Sequence, residues 1–220
     1  MTLVGYWPMN ELSGGTSYDH SGSELHGDID GAFLGVDGIL GQPATEFDGV
    51  DDIVTIDASL VDMGWDDHGS MFCWINHNGS SSSQDVLSDW DSDGSTLRIN
   101  SSNELRAYAY GGGQIHDDRP TYAGIDPGVW WHLGVFLDGE DIGISVNGKI
   151  VDREPITGQL GQTNSTFRIG DRGDATGNKV DGTVAEVRVY SRALTGSEIQ
   201  YLYEVGSHAT LTTEVKTGGN

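Results

Sequence analysis

The sequence predicts an all-β protein: a two-sheet antiparallel jelly-roll sandwich with one short C-terminal helix. Three observations predict it. Glycine is abundant, at 33 of 220 residues, apolar and polar residues alternate over many short runs, and a helical pattern is confined to the C-terminal region. One core can absorb this length, and no linker or repeat divides the chain. We therefore predict one domain over residues 1–206 and a polar tail over residues 207–220.

The predicted strands follow from alternation between turn-forming residues. Alternation is clearest where Trp131, Leu133 and Val135 face one way and His132 and Gly134 the other. Asn147-Gly148 is a strong signal for a two-residue hairpin turn. In chain order the strands are predicted at Leu3–Pro8, Ala44–Ile56, Ser70–His77, Gln84–Trp90, Ser95–Asn100, Glu104–Tyr110, Val129–Asp138, Asp141–Asn147, Thr166–Gly170 and Val184–Tyr190.

The predicted helix spans Leu194–Tyr203. Within this pattern Thr195 is the N-cap residue and Glu198 follows three positions later, which is the pattern of a capping box. We expect the apolar side chains of this helix to close one end of the sandwich. Beyond it, Ala209–Val215 is either a further edge strand or an irregular part of the tail.

The charge balance is strongly acidic, with 34 Asp and Glu against 11 Lys and Arg and a formal net charge of −23. Concentrated salt shortens the range of such self-repulsion, so the composition favours an origin in a halophilic archaeon or its virus. The same charge argues against a nucleic-acid partner. No apolar stretch is long enough for membrane insertion. Cys73 is the only cysteine, which excludes an intrachain disulfide, and its strand pattern predicts a buried thiol.

Four groups of segments, in a consistent order over roughly residues 3 to 204, resemble one family. They are Gly5–Glu11 with Tyr18–Gly27, Ala44–Val54, Val129–Phe136 with Ile144–Gly148, and Gly182–Thr195. Together they resemble the laminin-G-like jelly roll of the concanavalin A superfamily. The resemblance implies a scaffold that is found in adhesion domains, lectins, carbohydrate-binding modules and some glucanases. Fold alone does not choose among these functions.

The residues predict that the protein is not an enzyme. Glucanases of the resembled superfamily carry paired carboxylates in the pattern Glu-x-Asp-x-x-Glu, one acting as nucleophile and the other as acid. That pattern does not occur in this sequence, and neither Glu140 nor Glu186 has a partner at that spacing. The Gly-x-Ser-x-Gly motif of serine hydrolases is also missing.

The resemblance further implies a structural calcium ion that ties the loop after the first strand to the edge of the sandwich. The matching positions are Asp19 and Ser21, with Asp48 and either Asp51 or Asp52 as partners, and their hard oxygen atoms suit Ca²⁺. One departure is that Ala185 stands where the family usually carries an acidic residue. In so acidic a chain, these carboxylates are alternatively part of the solvated surface.

A second acidic segment, Asp89–Gly94, resembles the opening of a calcium-binding EF-hand loop. Asn100 stands at the twelfth position in place of the required glutamate, and no helices flank the segment. We therefore interpret Asp89–Gly94 as a turn between two strands.

A ligand-binding face is predicted on the strand Glu104–Tyr110. If Leu105, Ala107 and Ala109 face the core, then the alternate residues share the outer face, together with an arginine from the preceding strand. Aromatic rings and forked guanidinium donors suit a sugar. Cross-strand pairing on a solvated face is the alternative. The predicted ligand-binding residues are Arg98, Arg106, Tyr108 and Tyr110, followed by a Gly111–Tyr122 loop that carries Gln114, His116, Arg119 and Tyr122.

Three functions remain compatible with these patterns. The residues before the first strand do not show the basic and apolar regions of a cleaved signal peptide, and we expect from this a protein that reaches the exterior by assembly. We therefore predict a surface-exposed virion component (capsid decoration, spike or tail) that recognises glycans or a host cell-surface glycoprotein and docks on other virion proteins or on a second copy of itself. The alternatives are an extracellular carbohydrate-binding or adhesion module of a cell, and an accessory domain of a glycoside hydrolase.

Overall fold

The computed structural model describes residues 2–65, 67–90, 94–110, 119–156, 165–172 and 178–208. Two antiparallel sheets face each other with a short helix near the C-terminus, which confirms the predicted all-β sandwich. In chain order the strands are β1 (Leu3–Trp7), β2 (Thr16–Ser17), β3 (Gly27–Asp30), β4 (Phe33–Asp37), β5 (Pro43–Asp48), β6 (Ile53–Ile56), β7 (His68–His77), β8 (Gln84–Ser88), β9 (Gly94–Ile99), β10 (Glu104–Tyr110), β11 (Thr121–Ala123), β12 (Trp131–Asp138), β13 (Asp141–Val146), β14 (Lys149–Pro155), β15 (Phe167–Ile169) and β16 (Asp181–Tyr190).

The two sheets divide the strands by position and not by order along the chain. Sheet A has the order β14-β13-β12-β7-β16-β5-β4, and β1 also pairs with β16. Sheet B has the order β11-β10-β9-β8-β15-β6-β3-β2. In β16 the register shifts between Ala185 and Arg188, so β5 pairs with the first half of this strand and β1 with the second. Half of the strand pairings among the described residues therefore join strands that are not consecutive along the chain.

The core lies between the sheets and follows the alternation of each strand. In β7, Met71, Cys73 and Ile75 point into the core, while Phe72 and Trp74 point to the opposite face of sheet A. The prediction of a buried Cys73 is confirmed, and burial raises the pKa of its thiol. The largest fully buried rings are Trp7, Phe47, Phe72, Phe136 and Phe167.

The helix α1 (Gly196–His208) begins with the predicted capping box. The Thr195 backbone N–H donates to the Glu198 carboxylate at 2.9 Å, and the Glu198 N–H donates to the Thr195 hydroxyl at 3.4 Å. The predicted position of the helix is wrong: it covers the outer face of sheet A and does not close an end of the sandwich. Ile199 packs there with Phe72 and Phe136 in a cluster separate from the main core.

The helix is also longer than predicted, because Gly206 does not stop it. A Cβ atom at Gly206 would lie 2.5 Å from Nε1 of Trp74, so the glycine lets the last turn of the helix approach this ring. The predicted edge strand at Ala209–Val215 lies outside the described residues. No helix in the described part of the chain is long and apolar enough to cross a membrane.

The strand predictions differ from the structure mainly at the N-terminal third. The predicted strand Ala44–Ile56 is two strands, β5 in sheet A and β6 in sheet B, separated by a turn in which Gly49 has a φ of 76°. Strands β2, β3, β4 and β11 were not predicted. Glycine, aspartate and exposed side chains dominate these short segments, so they lack a clear apolar alternation.

Candidate functional site

The predicted ligand-binding hairpin forms with the expected register. Strands β9 and β10 pair so that Arg98 lies opposite Arg106 and Thr96 lies opposite Tyr108. Leu105 and Ala107 are fully buried in the core, which places Arg106 and Tyr108 on the outer face of sheet B. Tyr110 continues β10, but its side chain is outside the described residues.

The outer face is not open at Tyr108, although the predicted ligand-binding face requires an accessible ring there. Its side chain is only 8% exposed. The Arg98 guanidinium lies 4.8 Å from the ring centroid and the Arg119 guanidinium lies 4.5 Å from it. Cation–π attraction of this kind is stabilising. The tyrosine therefore supports two guanidinium groups and does not present its ring to a ligand.

Beneath Arg98 lies a buried carboxylate that the sequence reasoning missed. Asp85 of β8 is fully buried and accepts two hydrogen bonds from Arg98, at 2.5 and 2.8 Å. The Nε atom of Arg172 is 3.8 Å from the same carboxylate. Burial raises the pKa of Asp85, and the two guanidinium groups oppose this shift. The forked pairing fixes Arg98 in one orientation.

Two further arginines extend this surface across sheet B. Arg168 lies between the core residues Phe167 and Ile169 in β15, so its side chain is on the outer face, opposite Ser88. Its guanidinium donates to the Arg172 carbonyl at 3.3 Å, and that of Arg172 lies 5.4 Å from the Trp90 ring centroid. We call the set the arginine patch, and its members are Arg98, Arg106, Arg119, Arg168 and Arg172.

The arginine patch holds five of the eight arginines in the sequence. Sequence reasoning identified Arg98 and Arg106, and placed Arg119 in the loop without a position relative to the hairpin. Arg168 and Arg172 were missed. Alternation around Arg168 is visible in the sequence, but the pairing of β15 with β8 joins segments about eighty positions apart and leaves no local signal.

The predicted Gly111–Tyr122 loop is described only at its end. Arg119 lies over Tyr108, as above, and Tyr122 belongs to β11, where it pairs with Leu105 and is 36% exposed. Gln114 and His116 lie outside the described residues. The described end of this loop therefore borders the arginine patch.

Asp19 does not fit the predicted calcium site. Its carboxylate accepts hydrogen bonds from the backbone N–H groups of Tyr6, Ser21 and Leu25 and from the Ser21 hydroxyl, at 2.8 to 3.1 Å. Burial raises the pKa of Asp19, but these hydrogen bonds outweigh that effect and lower it overall. A carboxylate surrounded by donors has no free oxygen direction for a cation. Asp19 itself ties the loop after β2 to strand β1.

The other predicted metal ligands are brought together. Oxygen atoms of Asp48, Asp51 and Asp52 lie within 4.8 Å of one another, and Asp19 is not part of this group. Asp52 is buried and accepts a hydrogen bond from the Asp48 N–H at 2.8 Å, while Asp48 accepts one from the Val50 N–H. Burial raises the pKa of Asp52, and the neighbouring carboxylates act in the same direction. This hydrogen bonding shapes the turn between β5 and β6.

The segment Asp89–Gly94 joins two adjacent strands, as the turn interpretation predicted. Asp89 Oδ1 accepts a hydrogen bond of 2.7 Å from the Ser95 N–H, and Gly94 has a φ of 128°. Residues 91–93 lie outside the described residues. The contact between Asp89 and Ser95 closes the connection between β8 and β9.

A second polar cluster joins the first and last strands of the sandwich. Glu186 has a φ of 58° at the irregular position of β16, and its carboxylate accepts hydrogen bonds from Tyr6 and Arg188. The Arg188 guanidinium also lies 4.2 Å from the Tyr6 ring centroid. Burial is the main cause that raises the pKa of Tyr6 to about 12. These mutual contacts explain the cluster as a structural connection between β1 and β16.

Comparison with known families gives one match. The laminin-G-like model of the concanavalin A-like lectin/glucanases superfamily matches residues 48–200. This range runs from the end of β5 into α1 and includes the arginine patch. No curated protein sequence matches the chain.

Several solved structures share the fold at low sequence identity. Domain 4 of AbnA, a GH43 extracellular arabinanase from Geobacillus stearothermophilus in complex with arabinotriose, aligns with a TM-score of 0.69 and 19% identity over 92% of this chain and 98% of that domain. The binding domain of Paraclostridial Mosquitocidal Protein 1 aligns with a TM-score of 0.74 and 16% identity, covering 93% and 52%. Trypanosoma rangeli sialidase in complex with sialic acid gives 0.70 and 15%, covering 92% and 32%. The chain thus spans about half of the toxin domain and a third of the sialidase.

Proposed function

Because the chain belongs to the concanavalin A-like lectin/glucanases superfamily, we propose that it is a carbohydrate-binding module that recognises its ligand without hydrolysing it. The observation that carries this proposal is the outer face of sheet B. Helix α1 covers the outer face of sheet A, whereas sheet B presents the arginine patch on its outer face. Guanidinium groups fixed by neighbouring side chains are suitable donors to sugar oxygens.

The structural neighbours that are binding domains support the proposed role. Domain 4 of the arabinanase, which this chain matches over nearly its full length, is in complex with arabinotriose. The toxin neighbours are binding or receptor-binding domains. By analogy, this chain uses the same scaffold to hold a glycan, and the arginine patch is the candidate contact surface.

The test of this proposal blocks one face at a time. Thr55 lies on the outer face of sheet B, opposite Arg168, and Val205 is exposed on α1. We expect the unmodified protein to bind at least one oligosaccharide on an array of neutral and acidic glycans. Thr55→Trp should weaken that binding about tenfold by steric exclusion, which corresponds to roughly 1.4 kcal/mol. Val205→Trp adds the same bulk over sheet A and should have no effect.

Two outcomes would contradict the proposal. One is that the protein binds no glycan on the array while remaining folded. The other is that it releases shorter sugars from a bound oligosaccharide, detected by chromatography of the incubated ligand, since this would indicate hydrolysis. Equal binding by the Thr55→Trp and Val205→Trp variants would place the contact surface elsewhere and contradict the use of sheet B.

The acidic composition supports a halophilic setting as part of the proposal. A net charge of −23 destabilises a compact fold through self-repulsion, and salt screens it. We expect the midpoint of thermal unfolding to rise between about 0.1 and 3 M KCl, because the Debye length falls to a few ångströms. A midpoint that stays level or falls would argue against this setting.

We further propose that the domain is displayed on the surface of a virion, where a glycan-binding face would contact the host. Support for this finer role comes from the acidic composition alone, so it stands apart from the binding proposal. Mass spectrometry of purified virus particles from the source culture should detect the protein. Detection only in the cell-wall or medium fraction would favour the cellular module or the hydrolase accessory domain.

A further inference from the structure

At Tyr108, the outer face of sheet B offers a ligand guanidinium groups and not an aromatic ring. The Tyr108 ring is 8% exposed because Arg98 and Arg119 lie on it. Stacking of a sugar on an aromatic ring requires an accessible ring face. At Tyr108 a ligand therefore meets positively charged, planar donors first.

Two members of the arginine patch have no acidic partner among the described residues. In the described part of the chain, no carboxylate lies within 4.0 Å of the guanidinium of Arg119 or Arg168. On the other surfaces, Arg153, Arg188 and Arg192 each form an ion pair with a carboxylate. With 34 acidic residues against 11 basic ones, acidic partners are plentiful. Arg119 and Arg168, the two arginines without such a partner among the described residues, nevertheless both lie on the outer face of sheet B.

The position of these two arginines indicates the size of a ligand. Arg168 belongs to β15, and Arg119 lies over Tyr108 of β10, with β8 and β9 between these strands. Three strand spacings correspond to roughly 14 Å. One small acid spans such a distance poorly, whereas an oligosaccharide with several acidic groups can contact both arginines.

From these observations we propose that the arginine patch selects acidic glycans, whose carboxylate or sulfate oxygens accept hydrogen bonds from Arg119 and Arg168. This inference rests on the proposed carbohydrate-binding function and names its ligand class. Guanidinium groups bind oxyanions through paired, charge-assisted hydrogen bonds. Neutral sugars offer hydroxyl groups only, which make weaker bonds to the same donors.

The net charge of the protein sets the conditions under which this selectivity operates. At low ionic strength, a charge of −23 repels an acidic glycan over a long range. At about 1 M salt the Debye length is roughly 3 Å, so the repulsion is screened while direct hydrogen bonds remain. We therefore expect acidic glycans to bind better in concentrated KCl than in dilute buffer.

The experiment compares each acidic ligand with a form in which acidic groups have been esterified or removed. In about 2 M KCl, where long-range repulsion is screened, binding is measured by calorimetry to trigalacturonate and to its methyl ester, and to a chondroitin sulfate oligosaccharide and its desulfated form. We expect the charged form of at least one pair to bind about tenfold more tightly than its uncharged or less charged partner, as a charge-assisted hydrogen bond implies. The pair that shows the difference identifies carboxylate or sulfate as the preferred group.

Matched arginine variants locate the effect. Arg119→Gln and Arg168→Gln should each weaken binding of the charged ligand about tenfold and leave binding of the uncharged trigalacturonate methyl ester unchanged. Arg153→Gln removes the same charge from the outer side of sheet A, where its guanidinium lies over Phe136, and should change neither. Because Arg119 and Arg168 lie on different strands, one variant remains informative if the other fails to fold.

The outcomes separate this inference from the proposed function. Equal affinity for charged and uncharged forms, or equal losses in all three arginine variants, would overturn the selection of acidic glycans and leave carbohydrate binding intact. If the protein binds only neutral glycans on the array, the selection of acidic glycans is overturned and carbohydrate binding is retained. Failure to bind any glycan would overturn both.

Discussion

The outer face of sheet A is covered by an apolar helix surface, whereas the outer face of sheet B is covered by charged arginine side chains. On sheet A, the outward residue Trp74 is 3% exposed because α1 packs over this face, with Tyr203 stacked on the ring at 5.5 Å. On sheet B, the outward residue Tyr108 is 8% exposed because two guanidinium groups lie on it. Both rings are buried, but only the second is buried beneath groups that can contact a polar ligand.

This difference shows that the exposure of a strand face depends on what the rest of the chain places over it. An outward aromatic residue on sheet A belongs to a second apolar cluster that stabilises the helix. An outward aromatic residue on sheet B supports charged side chains. The three predictions below test the two coverings, beginning with the largest expected effect.

The largest effect on stability is expected for Arg98, because this member of the arginine patch forms an ion pair with a buried carboxylate. Arg98→Met removes both hydrogen bonds from Arg98 to the fully buried Asp85, so that this carboxylate keeps the Asn178 side chain and Arg172, at 3.8 Å, as neighbours. Breaking a buried pair in this way costs about 3–5 kcal/mol of the free energy of unfolding. Denaturant unfolding in concentrated KCl measures the loss.

The matched variant removes both charges. Asp85→Leu combined with Arg98→Met should recover most of the lost stability, because an apolar pair replaces the uncompensated carboxylate. A loss of less than about 1 kcal/mol in the single variant would show that the carboxylate finds another partner. The stability of the outer face of sheet B would then depend less on Arg98 than the hydrogen bonds to Asp85 imply.

A smaller effect is expected beneath the helix, where a buried histidine resists protonation. His132 is 1% exposed and stacks on Phe72, and burial, aided by Arg188, lowers its pKa from 6.5 to about 3. Between these pH values the unfolded chain binds a proton that the folded protein excludes. Stability therefore falls as the pH falls, by about 2–3 kcal/mol from this residue near a pH of about 4.5.

His132→Leu should remove this part of the acid sensitivity, because leucine has nothing to protonate. The measurement is the free energy of unfolding at about pH 7 and about pH 4.5, compared between variant and unmodified protein. Equal acid losses in the His132 variant and the unmodified protein would contradict a buried, neutral histidine under α1.

The smallest effect concerns the start of the helix that covers sheet A. Thr195→Ala removes a capping hydroxyl and should cost about 1 kcal/mol. Hydrogen bonds from Arg192 and Thr195 lower the pKa of Glu198 to about 2, so the same capping box weakens as acid protonates this carboxylate. Ser23→Ala, in an exposed loop, should cost little. Glycan binding by the Thr195 variant should be normal, and a loss of binding would indicate that the two faces are coupled.

The N-terminal third shows where sequence patterns stop predicting strands. Alternation predicted β7, β10 and β12 because one face of each carries a continuous row of core residues. Strand β4 has no such row: Phe33 is exposed and Gly35 has a φ of 73° at an irregular pairing. Its hydrogen bonds to β5 make it a strand, and these depend on the neighbouring segment and not on its own side chains.

The acidic residues were a stronger sequence signal than the arginines, but the structure brings only some of the predicted metal ligands together. Asp48, Asp51 and Asp52 lie in one turn and their carboxylates are close to one another. Asp19 was grouped with them by resemblance, but the backbone N–H groups around it occupy its oxygen atoms. Local spacing cannot show which donors the folded chain will direct at a carboxylate.

The sequence by itself determined the properties that depend on residues close to one another along the chain. Alternation placed Arg106 and Tyr108 on the same side of β10 and Leu105 on the other, because successive side chains on a strand point to opposite faces. The capping box at Thr195 and the burial of Cys73 are likewise local consequences of spacing. Tertiary structure alone decided that Arg119 and Arg168 share a face with them, and that α1 lies on sheet A. The pairing of β15 with β8 and the docking of the helix bury surfaces from distant segments, and the free energy of that burial is a property of the whole fold.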